Sequence, residues 1–264
     1  MNDSLVRLND HLAINRAFEV GKFNELLEGT LEREDGERKK TSFAPSALGY
    51  NGRCPRYWFY AFAGTEFTYD PDPLGVQNMN NGTSAGARIA DMLDRAGILV
   101  SKEQEVREKD GQPPIHGYID AVVNWQDQEV IVEVKTTKNS TFNYRATNNT
   151  VPGYQLLQLL IYMYVTDHDR GFLLTENKDS GELFVFPVKM NDTNRKLVEN
   201  TFDWMRMVKD NEELPTRPFT QSSMECKNCP VKKVCWEGYK RGSVNGTDPN
   251  PGTVTLPILE VPKV

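Results

Sequence analysis

The chain has 264 residues, a formal net charge of −6 and a hydrophobic fraction of 38%, so it is long enough to bury a core without disulfide bonds, and we expect one domain with extensions. No apolar run approaches the roughly 20 residues that a membrane span needs, and the start of the chain lacks the basic and apolar regions of a signal peptide; we expect a cytoplasmic protein without a membrane partner. The acidic balance argues weakly against a nucleic-acid binder, because phosphate binding is driven by clustered Lys and Arg.

Helices and polar linkers are predicted for the first third of the chain. Residues 1–40 read as an N-terminal helical extension, because their apolar positions recur at helical spacing. Residues 41–63 begin with helix-capping residues and end in an aromatic helix. Residues 64–80 read as a polar loop, and the next helix is predicted over residues 78–96.

A β hairpin is predicted at the centre of the chain. Residues 102–107 are expected to form an edge strand, and residues 115–125 and 130–134 the two strands of the hairpin. In the last strand the apolar alternation places Glu133 and Lys135 on one face.

The register of this hairpin predicts a metal site. If Trp125 lies opposite Gln128, the paired positions sum to 253 and Asp120 faces Glu133. Facing residues have Cβ atoms roughly 5 Å apart, where like charges repel. Mg²⁺ held by both carboxylates would compensate, with Lys135 beside the metal-bound water. The alternative is a surface salt bridge between Glu133 and Lys135.

The region after the hairpin is predicted to contribute to the same cleft. Residues 139–151 read as an active-site loop, and a very apolar helix follows over residues 152–166. On that helix a polar stripe of Gln155, Gln158 and Tyr162 recurs at steps of three and four residues. The stripe indicates a surface where an amide and a phenol bind phosphate oxygens; satisfied polar groups in the core are the alternative.

Two further strands (171–175 and 183–188) and a helix (194–208) complete the predicted elements. The order strand, strand, helix, strand indicates an α/β fold in which a mixed sheet is flanked by helices.

Four cysteines indicate a second metal centre. Three form the pattern Cys226-x2-Cys229-x5-Cys235, and Cys54 lies far upstream. Disulfide bonds are not expected in the cytoplasm, and zinc sites usually use two short cysteine pairs. Four irregularly spaced thiolates suit a 4Fe-4S cluster, with zinc and free thiols as alternatives. Either metal would join the two ends of the domain.

Together these motifs resemble the PD-(D/E)xK nuclease superfamily, and in particular its RecB-like branch. The resemblance lies in Gly117-x-x-Asp120 with Glu133-x-Lys135 thirteen residues later, and in Gln158-x3-Tyr162. The four cysteines resemble the iron-sulfur subgroup, which includes the AddB nuclease domain and the CRISPR-associated adaptation nucleases. The resemblance implies a restriction-endonuclease-like core over residues 41–241.

The resemblance also implies roles for site residues. Asp120, Glu133 and the Val134 carbonyl would hold Mg²⁺ or Mn²⁺, and Lys135 would orient the attacking water. Gln158 and Tyr162 would position the strand.

The chain departs from the family pattern at one metal ligand. Relatives carry Gly-x-x-x-His at the start of the helix before the sheet, whereas Gly86 occupies the His position here. His116 is four residues from Asp120 along a strand, about 13 Å away. We therefore expect Glu105, or Glu103, to supply the further ligand.

The expected function is a metal-dependent DNA exonuclease acting on single strands or DNA ends, in recombination, repair or CRISPR-adaptation-like processing. One alternative is a catalytically weak or inactive iron-sulfur subunit that binds DNA or supports assembly; another is a subunit active only in a complex. Residues 242–264 are expected to form a flexible tail, whose last stretch, residues 253–264, is either a docking peptide for a protein partner or a segment pinned to the surface.

Overall fold

The computed structural model describes residues 19–30, 40–67, 73–239 and 250–262. The chain divides into two compact units, one made of residues 1–36 and 71–81 and the other of residues 37–70 and 82–264. Most of the predicted N-terminal extension lies outside the described residues. Among the described residues no helix is long and apolar enough to cross a membrane.

The described helices are α1 (Val20–Gly29), α2 (Pro55–Phe62), α3 (Pro73–Arg95), α4 (Asn139–Asn148), α5 (Gly153–Thr166), α6 (Asp192–Asp210), α7 (Met224–Lys227) and α8 (Lys232–Cys235). The strands are β1 (Leu99–Arg107), β2 (His116–Trp125), β3 (Gln128–Thr137), β4 (Arg170–Asn177) and β5 (Leu183–Lys189). All five predicted strands and the predicted helices over residues 152–166 and 194–208 are confirmed to within a few residues.

Two predicted loops were wrong. Residues 139–148 form α4, although their Asn, Ser and Thr residues are typical of turns; Phe142 is buried on this helix, and tertiary packing outweighs the weak local preference. The loop predicted over residues 64–80 already becomes α3 at Pro73.

The five strands form one mixed sheet in the order β1-β2-β3-β4-β5. Only β3 and β4 are parallel, and the other neighbours are antiparallel. A parallel neighbour needs a crossover connection, and α4 and α5 provide it. The sheet therefore has the predicted α/β architecture.

The predicted register of the central hairpin is confirmed. The pairs run from Trp125 opposite Gln128 to Ala121 opposite Val132, so their numbers sum to 253. The two turn residues, Gln126 and Asp127, have φ of 54° and 59°, as a two-residue type I′ turn requires.

The two faces of the sheet contribute to different cores. Val130, Val132 and Val134 pack with Ile89 of α3. Ile131, on the opposite face of β3, belongs to the larger core that includes α5 and α6. The charged positions Glu133 and Lys135 alternate with the valines and so share the face of Ile131.

The end of the chain packs against its own domain. Leu259 is buried, its N–H donates to the carbonyl of Arg53, and its carbonyl accepts from Nε of Arg53 at 2.9 Å. Close to Arg53 in sequence, the buried Arg56 donates to the carbonyls of Pro215 and Asn250. Residues 250–262 thus follow the surface-pinned alternative of the predicted tail; residues 242–249 lie outside the described part of the chain.

Candidate active site

The carboxylates of Asp120 and Glu133 lie where β2 and β3 stop pairing. The ladder ends at Ala121 and Val132, one residue before them. Beyond that point the backbone N–H of Val134 donates to Oδ2 of Asp120 over 2.7 Å. A side chain, rather than a strand carbonyl, accepts this bond, so Asp120 is fixed to the backbone of the strand that carries Glu133.

Glu133 is a buried carboxylate with one unsatisfied oxygen. Its side chain is almost fully enclosed, and Oε1 accepts from Nζ of Lys135 at 2.5 Å and from Nε2 of Gln158 at 2.7 Å. Oε2 has no hydrogen-bond partner among the described residues. Burial raises the pKa of Glu133 to about 7, although Lys135 and Gln158 act to lower it and Asp120 raises it further.

Asp120 experiences the same kind of environment. Burial raises its pKa, while the Lys135 ammonium and the Val134 N–H lower it and Glu103 raises it again. Glu103 lies between the β1–β2 pairs on either side of Asp120 and has φ of 48°, which non-glycine residues rarely adopt. The Glu103 charge therefore adds to burial in disfavouring an ionised Asp120, and a bound cation would offset both effects.

Tyr162 closes the site from α5. Its phenol is buried, and burial followed by the charge of Glu133 raises its pKa. A Cβ atom on Gly117 would lie 2.6 Å from the Tyr162 hydroxyl. Only glycine at position 117 thus lets this helix approach β2 so closely, which gives the Gly-x-x-Asp pattern a packing reason.

The structure brings together Asp120, Glu133, Lys135, Gln158 and Tyr162, whose roles stay predictions; Gln158 and Tyr162 are buried, as in the alternative of polar groups in the core. It also adds Thr175, which sequence reasoning missed. Thr175 lies opposite Lys135 in the parallel β3–β4 pair, and its buried hydroxyl has no partner among the described residues. Thr175 could be found only from the register of β4 against β3, which a sequence pattern does not set.

Glu105, the sequence-based candidate for a further metal ligand, and Gly86, at the family's His position, lie outside this cluster of side chains. Glu105 is exposed, and its Oε1 accepts from Arg107 at 2.7 Å and contacts Nε2 of His116 at 2.9 Å. These two partners lower the pKa of Glu105. Gly86 lies in α3 with open space where a Cβ atom would be.

The residues present fit a divalent cation. Mg²⁺ and Mn²⁺ prefer hard oxygen donors. The site offers the unsatisfied Oε2 of Glu133 and the neighbouring carboxylate of Asp120. Within the described residues no group of three or more His, Cys, Asp or Glu side chains is spaced to hold an ion. Asp120 and Glu133 alone would therefore not complete the shell of a cation here, which needs further oxygen ligands.

The four cysteines converge from both ends of the domain. Cys226 and Cys235 raise the pKa of Cys54, after the larger effect of burial. Cys54 in turn acts on Cys229, whose pKa burial raises to about 12. The four thiols thus share one region, as a common metal site requires, although they are not at ligand spacing.

A mixed α/β sheet with a buried and a half-buried carboxylate and a lysine at the diverging end of a hairpin is consistent with a restriction-endonuclease-like core. A profile of the PD-(D/E)XK nuclease superfamily matches residues 83–236, more than half of the chain. The chain belongs to this superfamily.

Two crystal structures of LHK-Exo are similar to this fold. One is an alkaline exonuclease from Laribacter hongkongensis, with 11% identity and a TM-score of 0.51; the other is LHK-Exo in complex with dAMP, with 12% identity and a TM-score of 0.50. Each match covers 64% of this chain and 88% of that chain, and at such identity it shows the fold alone. A search of curated proteins gave no match.

Proposed function

We propose that the protein is a metal-dependent DNA exonuclease of the RecB-like branch, acting on single strands or DNA ends. The observation that carries this proposal is Oε2 of Glu133, a buried carboxylate oxygen without a partner among the described residues, beside Asp120. Oε1 is already paired with Lys135 and Gln158, whereas a buried carboxylate oxygen without a partner is costly, and a bound cation would satisfy it. The superfamily membership supports the same chemistry.

The side chains of the site have different roles in the proposed hydrolysis of phosphodiester bonds. Asp120, Glu133 and the Val134 carbonyl would hold Mg²⁺ or Mn²⁺, which supplies a Lewis acid and an acidified water. Gln158 and Lys135 both occupy Oε1 of Glu133, so Oε2 stays available as a ligand. The Lys135 ammonium has further donors with which to orient the attacking water and to stabilise charge on the phosphate.

A further carboxylate from β1 is part of this proposal. Glu105 was the sequence-based candidate, and its carboxylate is paired with Arg107 and His116. Glu103 is the β1 acid whose charge raises the pKa of Asp120. Metal titration of Glu103→Gln and Glu105→Gln compares the two, and the ligand is the residue whose loss weakens binding.

We also propose that Cys54, Cys226, Cys229 and Cys235 bind a 4Fe-4S cluster. Four thiolates are the usual ligands of such a cluster, and the mutual electrostatic effects of these thiols support a shared site. The cluster would join the residues around α2 to the segment of α7 and α8.

Incubation of the purified protein with end-labelled single-stranded DNA, with and without Mn²⁺, tests the function. Asp120→Ala, Glu133→Ala and Lys135→Ala should each reduce cleavage by at least ~10²-fold while DNA binding survives. Glu212→Ala, which removes an exposed carboxylate, serves as control. Absence of cleavage by the unaltered protein would overturn the proposal, and full cleavage by one variant would remove that residue from the site.

A further inference from the structure

We propose that Tyr50, Arg145 and Tyr154 form a binding site for one nucleotide of a single DNA strand, with its phosphate on Arg145 and its base stacked on Tyr50. We call these residues the Tyr-Arg-Tyr site. The inference rests on the proposed function, since it assigns a substrate contact to the same enzyme.

Arg145 supplies the anion-binding group. It lies on α4, and partial burial lowers its pKa, with Tyr154 and Tyr50 acting in the opposite direction. Within the described part of the chain no carboxylate lies at ion-pair distance from this guanidinium. A partly desolvated guanidinium without a counter-charge matches the planar, bidentate geometry of a phosphate group.

Tyr50 supplies an aromatic surface. Its side chain is 52% exposed, and its ring centroid lies 5.4 Å from that of Tyr154 at an interplanar angle of 48°. Its φ is 42°, a conformation that is strained for a bulky residue and that tends to occur at functional sites. A Cβ atom on Gly49 would lie 2.9 Å from the Tyr154 ring, so glycine there permits the close approach.

A groove next to Tyr50 has room for a base. Its volume is about 490 Å³, and besides Tyr50 it is lined by Asn51, Met224 and Lys227. Glu225 also faces the groove, and its carboxylate is paired with Arg53 at 3.5 Å. Proteins that bind single-stranded nucleic acid commonly combine aromatic rings that stack on bases with polar and positively charged groups nearby.

The Tyr-Arg-Tyr site is aligned with the carboxylates through α5. Tyr154 precedes Gln158 by four residues, so the two share a helix face and lie about 6 Å apart along the axis. Gln158 binds Oε1 of Glu133. A strand bound at the Tyr-Arg-Tyr site, near the N-terminal end of α5, would therefore extend a neighbouring phosphate toward the carboxylates.

Binding of a fluorescent ten-nucleotide oligothymidine, followed by anisotropy in EDTA over a range of salt concentrations, tests the site without cleavage. Tyr50→Leu should weaken binding at least about fivefold and leave the salt dependence unchanged, whereas Tyr50→Phe should bind like the unaltered protein. Arg145→Gln should reduce the slope of log affinity against log salt by about 0.7. Arg195→Gln is the matched control, because Arg195 lies 5.5 Å above the Tyr164 ring on α5 and should change neither quantity.

Folding is checked with Tyr50→Gly, since glycine adopts a positive φ without strain. This variant should keep a melting temperature close to that of the unaltered protein and bind as weakly as Tyr50→Leu. Unchanged binding by Tyr50→Leu and Arg145→Gln, equal losses in Arg195→Gln, or no oligothymidine binding by the unaltered protein would each overturn the inference.

Cleavage assays with Mn²⁺ separate this inference from the proposed function. Cleavage that needs Asp120 but is combined with unaltered binding by Tyr50→Leu would reject the Tyr-Arg-Tyr site and leave the nuclease proposal standing. Loss of binding in Tyr50→Leu without cleavage by the unaltered protein would keep the site and reject the nuclease.

Discussion

Replacing Glu133 by Gln removes a buried carboxylate whose pKa lies far above its ordinary value. Burial raises that pKa from 4.5 to about 7, so between these pH values the native state holds a proton that the unfolded state has lost. The stability from this proton is complete below pH 4.5 and is lost as the pH rises through about 7. Above that pH the metal-free native state contains an ionised, poorly solvated Glu133.

The size of the effect follows from the shift. A rise of about 2.5 pKa units corresponds to about 3 kcal/mol, at 1.36 kcal/mol per unit. The amide of a glutamine side chain cannot titrate, so the free energy of unfolding of Glu133→Gln, relative to the unaltered protein, should increase by about this amount between pH 4 and pH 8. Titrating groups that do not interact with Glu133 cancel, because the quantity is a difference between two proteins at the same pH.

Urea unfolding in EDTA at several pH values measures this difference. Glu212→Gln, at an exposed position, should show a flat difference over the same range. Addition of Mn²⁺ at pH 8 should stabilise the unaltered protein, by about 2.7 kcal/mol at a hundred times the Kd, and not Glu133→Gln. A difference in unfolding free energy that does not change with pH for Glu133→Gln would refute the reasoning. It would show that the native state does not raise the pKa of Glu133, so that burial would not favour a bound cation there.

Three further predictions concern packing, metal choice and the cysteines. Gly117→Ala should destabilise the protein in thermal unfolding, because its Cβ atom would lie 2.6 Å from the Tyr162 hydroxyl, and Tyr162→Phe should recover part of the loss; equal effects in both backgrounds would contradict this contact. Gly86→His should raise Mn²⁺ affinity in calorimetric titration, because the position has free space and imidazole suits transition metals; unchanged affinity would show that position 86 does not face the ion. Anaerobically purified protein should be brown with about four iron and four sulfide per chain, and Cys54→Ser should lose the colour as fully as Cys229→Ser; a colourless protein with one zinc would overturn the cluster.

The central hairpin could be predicted from the sequence because two independent constraints fix it. Alternating apolar residues set the faces of β3, and a two-residue turn at Gln126 and Asp127 sets the register. With both fixed, the proximity of Asp120 and Glu133 follows from residue numbers alone. Side-chain detail did not follow, since the bond from the Val134 N–H to Asp120 depends on where the two strands separate.

Contacts between distant segments could not be predicted in the same way. Thr175 lies beside Lys135 only because the crossover aligns β4 with β3 in parallel, and no local pattern sets that register. The sequence did not predict helix α4, because its Asn, Ser and Thr residues favour turns and Phe142 is its one buried residue among those described. The residues of the Tyr-Arg-Tyr site lie on three separate segments, so their proximity can be seen only in the folded structure.

Nucleotide release from linear single-stranded DNA tests the central claim most directly, with a circular strand of the same sequence for comparison. With Mn²⁺ the unaltered protein should release nucleotides from the linear strand and leave the circle intact. Asp120→Asn keeps an oxygen for the Val134 N–H but removes the charge, and it should release at least ~10²-fold less. Full release by Asp120→Asn, or none by the unaltered protein at any Mn²⁺ concentration, would contradict a metal-dependent nuclease built on Asp120 and Glu133.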